Sequence, residues 1–120
     1  MKFVTASLVL VAFAALWIQT GYSAGTPVVV KATILPDLKI TFTPKSVRHG
    51  TVIFKVKNTS FGAHQFSING VTTKPIPPRM VVSAKVTFKL PAIYSATLAD
   101  CGYLSRCAGS DEPSGNVKVT

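Results

Sequence analysis

The sequence predicts an all-β domain, a sandwich or barrel built from antiparallel strands. Beyond residue 25, short runs of alternating apolar and polar residues recur, separated by Gly, Pro, Asn or Asp at roughly the 8–12-residue interval of sandwich strands. No window after that point keeps the apolar spacing of a helix for three turns. The inward positions of the runs supply Val, Ile, Leu and Phe, so two layers can bury a core between them.

Taken in order, Val28-Val-Val-Lys-Ala-Thr-Ile34 is rich in β-branched residues and stops near Pro36. Leu38, Ile40 and Phe42 alternate with Lys39 and Thr41, giving one dry and one wet face, and Thr43-Pro44 ends the run. Val52, Phe54 and Val56 then alternate with Ile53, Lys55 and Lys57, and His64, Phe66 and Ile68 share the next inward face. Asn69-Gly70 is a tight-turn signal. Thr73-Lys-Pro-Ile-Pro-Pro78 cannot join a central strand, because proline lacks the ladder donor. Ala84, Val86, Phe88 and Leu90 alternate again, and Asn116-Val-Lys-Val-Thr120 closes the chain. Six or seven strands in a single domain, residues 26–120, are expected.

Residues 1–25 read as an export signal, expected as a hydrophobic helix ahead of the domain. Lys2 supplies the positive start, Leu8–Ile18 the apolar core, and Ser23-Ala24-Gly25 a small-residue exit, with cleavage after Ala24 or Gly25. The apolar core is short of the ~20 residues that span a bilayer, so a membrane enters the reading only if this segment stays uncleaved. The expected location is periplasmic or extracellular. The chain carries a net charge of +9, which becomes +8 once Lys2 is removed. An exported cationic domain suits an acidic protein or an anionic envelope surface. The blander reading is that lysines spread over several strands solvate their outer faces. With no cluster of aromatic and basic residues, nucleic acid is not an expected partner.

Phe42-Thr-Pro-Lys-Ser-Val-Arg-His-Gly50, Thr51-Val-Ile-Phe-Lys-Val-Lys-Asn58 and His64-Gln-Phe66 resemble the first half of a small bacterial cupredoxin, a blue-copper-type domain. Pro77-Pro78, Ala84–Leu90 and Pro91-Ala-Ile-Tyr94 resemble its second half. Asn58 stands six residues before His64, the spacing that the family keeps between that Asn and its first ligand His. The resemblance implies a two-sheet Greek-key β-sandwich. It also implies a closing loop of the form Tyr-x-x-x-Cys followed by His and Met. Tyr103-Leu-Ser-Arg-Cys107 matches the start, but Ser110 stands near the expected His and Ser114 near the expected Met. Aligning on Tyr94 instead puts Leu98 at the Cys position and restores neither ligand.

A blue-copper site needs two imidazoles and a thiolate with a weak axial ligand. His49, the other histidine, precedes a strand that would hold it about 25 Å from Asn58. The donors left are His64, Cys101 or Cys107, and carboxylates such as Asp100 or Asp111. In an exported chain, two cysteines this close are expected to form a disulfide, which would remove the thiolate. The alternative is a copper site on His64 with Cys107 or Cys101. His64 itself reads either as a ligand or as a buried imidazole bonded to a backbone carbonyl. The expectation is no cofactor, with copper as the alternative.

Enzymatic chemistry finds little footing. Asp111-Glu112 is a carboxylate pair without supporting residues, no Ser/His/Asp arrangement is supported, and no glycine-rich phosphate loop occurs. Asn58-Thr59-Ser60 fits the glycosylation pattern but matters only in a eukaryotic secretory pathway. The expected role is a binding or structural module that has lost the redox site.

Overall fold

The computed structural model describes residues 26–102, 106–109 and 113–120. The segment read as an export signal therefore lies outside the described residues. Ten strands follow one another: β1 (Val28–Ile34), β2 (Ile40–Thr43), β3 (Ser46–Val47), β4 (Gly50–Asn58), β5 (Ala63–Ile68), β6 (Val71–Thr72), β7 (Val81–Phe88), β8 (Ala92–Cys101), β9 (Cys107–Gly109) and β10 (Gly115–Val119). No helix occurs among the described residues.

The strands form two sheets. One has the order β2-β1-β4-β7, and the other β3-β10-β8-β5-β6 with β9 also on β8. The expectation of a purely antiparallel arrangement is corrected in two places: β1 pairs with β4 in parallel, and β10 with β3 in parallel. The cause is the path of the chain. After the β1–β2 hairpin it crosses to the other sheet for β3, then returns as β4 on the free edge of β1. The expected closing strand β10 and the short strand β9 share one edge of β8. β10 pairs with Ala92–Ala96 and β9 with Ala99–Cys101, while β5 occupies the opposite edge.

The inner faces follow the period-2 pattern of the sequence. Val30, Ala32 and Ile34 of β1, Val52, Phe54 and Val56 of β4, and Phe66 and Ile68 of β5 are all buried. Rings from both sheets meet in the middle. Phe54 lies 5.8 Å from Phe66 and 6.1 Å from Phe88 between centroids, at tilted and edge-on angles that aromatic pairs favour. Phe88 also packs on Tyr94, whose hydroxyl donates to the Leu90 carbonyl, tying the corner where the chain passes from one sheet to the other.

Two residues expected inside lie outside. Leu38 has a positive φ of 69° and sits in the turn closed by the Leu38 amide on the Leu35 carbonyl. Leu90 falls beyond the end of β7 in the corner and is 69% exposed. Alternation predicts a face only as far as the strand continues. By contrast, Asn69 and Gly70 both take positive φ between β5 and β6, the two-residue turn that their types favour.

Candidate functional site

The C-terminal ends of β1, β4 and β8 and the start of β5 meet at one end of the sandwich. The Thr59 amide and hydroxyl both donate to the Ile34 carbonyl there, and Ser114 bridges the sheets, its amide donating to Ala96 and its carbonyl accepting from Ile40.

Asn58 organises this end. It is fully buried, yet its side chain is satisfied. Its Nδ2 donates to the Gly62 and Ile76 carbonyls at 2.7 and 2.8 Å. Its Oδ1 accepts from the Ser60 amide and hydroxyl at 2.8 and 2.6 Å. Its backbone pairs with Met80 and Arg79. One amide thus pins both the 59–62 loop and the 76–80 segment to the end of β4. The Asn-to-His spacing was visible in the sequence; the bond to Ile76 was not, since the fold brings that segment to the end of β4.

Ile76 in turn exchanges two backbone hydrogen bonds with His64, at 2.8 and 3.2 Å. The proline-rich segment forms no strand of its own, as expected, but lies along β5: Ile76 bridges to His64, and the Thr73 amide donates to the Phe66 carbonyl. His64 points inward and is 4% exposed. Opposite it on β8 stands Asp100, on the same face. The His64 Nδ1 lies 3.5 Å from the Asp100 Oδ1, beyond good hydrogen-bond length, and this buried nitrogen has no hydrogen-bond partner. The reading of His64 as a buried imidazole bonded to a backbone carbonyl is therefore corrected at Nδ1: the ring fits the inner face, but no carbonyl bonds this nitrogen. Beside this end, Thr59, Ser60, Phe61, Pro78 and Arg79 line an open cleft of about 470 Å³, with Phe61 almost wholly exposed.

Cys101 and Cys107 form a disulfide. They face each other across the β8–β9 hairpin, which the Gly102 amide closes onto the Arg106 carbonyl. Partners on adjacent strands project to the same side of a sheet, and successive residues to opposite sides. His64 partners Asp100, whereas Cys101 partners Ala63. The disulfide and the imidazole therefore project from opposite faces of one sheet. The structure joins the two cysteines and parts them from His64, so the set His64 with Cys107 or Cys101 is not assembled here.

The other candidate donors are no closer to a ligand set. His49 lies beyond the far end of β4 and bonds the Thr120 carbonyl through its amide and Nδ1. Met80 comes nearer than its sequence position suggests, since its carbonyl accepts from the Asn58 amide, but its side chain is half exposed. Tyr103, Ser110, Asp111 and Glu112 lie outside the described residues. Among the described residues no three His, Cys, Asp or Glu side chains come together in a way that could hold a metal. One imidazole, one exposed carboxylate and an oxidised cysteine pair do not fit the nitrogen–thiolate set of blue copper.

No family model matches the sequence, and no curated protein does. Among solved structures, the chain is similar to a multicopper oxidase, with a TM-score of 0.40 and 11% identity over 58% of this chain and 34% of that one. It is also similar to the Cu-containing nitrite reductase from Thermus scotoductus SA-01, with a TM-score of 0.40 and 19% identity over 62% of this chain and 22% of that one. The chain thus spans about a third and about a fifth of the length of these two proteins.

Proposed function

We propose that the chain is an exported, cupredoxin-like domain with Greek-key connections whose blue-copper site is incomplete, and that it serves as a non-redox binding or structural module. The observation that supports this most is the placement of the disulfide. Cys101 and Cys107 are bonded to each other and project from the sheet face opposite His64. Without a thiolate beside the imidazole, the soft donor that sets blue-copper electron transfer is missing. No enzymatic activity is proposed.

Copper titration of the purified protein, followed by visible absorption and a free-thiol assay, tests this. The expected result is no free thiol before reduction, two after it, and no intense thiolate-to-copper band at any copper ratio. Uptake of one copper equivalent with an intense visible band that is lost in His64→Ala would overturn the reading. A second reading has one specific support, the unpartnered Nδ1 facing Asp100. It is weak copper(II) binding by His64 and that carboxylate, giving pale, His64-dependent uptake without a thiolate band.

A further inference from the structure

Strand register gathers lysines that are far apart in the sequence onto one outer face. Lys31 of β1 stands directly opposite Lys55 of β4. One row further along, Lys57 stands between Thr33 of β1 and Val81 of β7, and one row back Ile53 stands between Val29 and Lys85. Lys31, Lys55, Lys57 and Lys85 thus occupy three successive rows, with strands about 4.8 Å and rows about 7 Å apart. All four are exposed. A shallow groove of about 260 Å³ runs between Lys31, Lys55, Lys57 and Val81.

No acid shares this face. Among the described residues the acids are Asp37, in the β1–β2 turn, and Asp100, in the other sheet. None of the four lysines makes an ion pair among the described residues. Like charges directly opposite each other on a sheet are destabilising, and solubility alone is met by charges of mixed sign. An anion laid over the face relieves that repulsion.

The chemistry of the face narrows the anion. It offers compact ammonium points and no guanidinium fork, so it suits many phosphates spread in a plane more than one shaped ligand. It lacks the Trp, Tyr and Arg anchors that concentrate binding energy in protein interfaces. Val29 and Val81 are each about half exposed between the lysines, giving aliphatic contact beneath heads that reach outward.

We propose that the outer face of the four-stranded sheet docks on an anionic phospholipid bilayer, with Lys31, Lys55, Lys57 and Lys85 meeting the headgroup phosphates and Val29, Ile53 and Val81 lying against the interface. This deepens the binding-module reading but uses neither His64 nor the disulfide, so a failure of the copper titration leaves it standing, and the reverse.

The test is vesicle co-sedimentation of the full chain at low salt, comparing bilayers with and without phosphatidylglycerol. Taking the ratio of the two partition coefficients cancels whatever the apolar segment near the N-terminus adds to both. A quadruple variant, Lys31→Gln, Lys55→Gln, Lys57→Gln and Lys85→Gln, should lower that ratio by about a hundred- to a thousand-fold, at roughly fivefold per lysine. A charge-matched control, Lys45→Gln, Arg48→Gln, Lys74→Gln and Lys118→Gln, should keep most of it, with circular dichroism confirming that both variants fold. The parental ratio should also collapse as salt shortens the screening length to about 10 Å and below. Equal loss in both variants would overturn the proposal, because only net charge would be at work. So would a parental ratio near one, and so would lysine-dependent binding to polyglutamate without binding to vesicles, which would point to an acidic protein.

Discussion

The His64 Nδ1 and the Asp100 Oδ1 face each other across 3.5 Å at the end of the sandwich, the imidazole buried and the carboxylate 81% exposed. The nitrogen forgoes a hydrogen bond, while the carboxylate is open to solvent. Leaving a buried polar group unpaired costs about 1–3 kcal/mol. His64→Leu is therefore expected to keep or raise stability, by up to about 2 kcal/mol in urea denaturation. Asp100→Asn should change it by less than about 0.5 kcal/mol, as exposed pairs contribute little. A loss above about 1 kcal/mol in His64→Leu would mean that the ring makes a stabilising hydrogen bond.

Asn58 should be the most sensitive polar position. Asn58→Ala removes four side-chain hydrogen bonds and leaves the Gly62 and Ile76 carbonyls without that donor. At about 1 kcal/mol for each bond and more for groups left buried, the loss should reach about 3–5 kcal/mol. Urea midpoints at constant slope measure it. A loss below about 1 kcal/mol would show that the 59–62 loop and the 76–80 segment hold without it.

Replacing both cysteines, Cys101→Ser with Cys107→Ser, opens a loop with a sequence separation of 6. The chain-entropy relation puts the cost at about 2 kcal/mol, or roughly 8–16 °C in melting temperature for a domain of this size. Reductant should reproduce that shift in the parent and have no effect on the variant. Because the thiols and His64 lie on opposite faces, the reduced parent loaded with cobalt(II) should give a thiolate spectrum unchanged by His64→Ala.

Gly115 sits where β10 passes under β2. A Cβ there would come 2.5 Å from the Ile40 carbonyl oxygen and 3.1 Å from the Ile40 Cβ. Backbone cannot swing aside as a side chain can, so Gly115→Ala should cost about 1–3 kcal/mol through overpacking. Thermal melting measures it. An unchanged melting temperature would mean that the two sheets can part at this end at little cost.

Much of this was legible in the sequence, and the limits follow from physical causes. Alternation identified the inward residues of β4, β5 and β7, because the side-chain period of a strand is a local property. It failed at Leu38, which precedes the start of β2, and at Leu90, which follows the end of β7. The cysteine spacing and the type of chain pointed to a disulfide, and the structure has it. Which face it occupies depends on whether Ala63 or His64 stands opposite Cys101, a question of register that composition does not answer. The lysines read as spread over several strands, and along the chain they are. Pairing β1 with β4 in parallel is what stacks Lys31 against Lys55.

The sequence by itself determined that the part of the chain after residue 25 reads as strands, which residues of β4, β5 and β7 turn inward, that the chain bears a strong positive charge, and that Ser110 and Ser114 stand where the resemblance would place a His and a Met. Those properties are carried by single residues and their near neighbours. The tertiary structure alone decided that the sheets are mixed, that Asn58 clamps the distant 76–80 segment to its own neighbouring loop, that His64 meets Asp100 and not a sulfur, and that four lysines share one face. Each of these depends on pairing between strands far apart in the chain, where a shift of one residue would send every side chain to the opposite face.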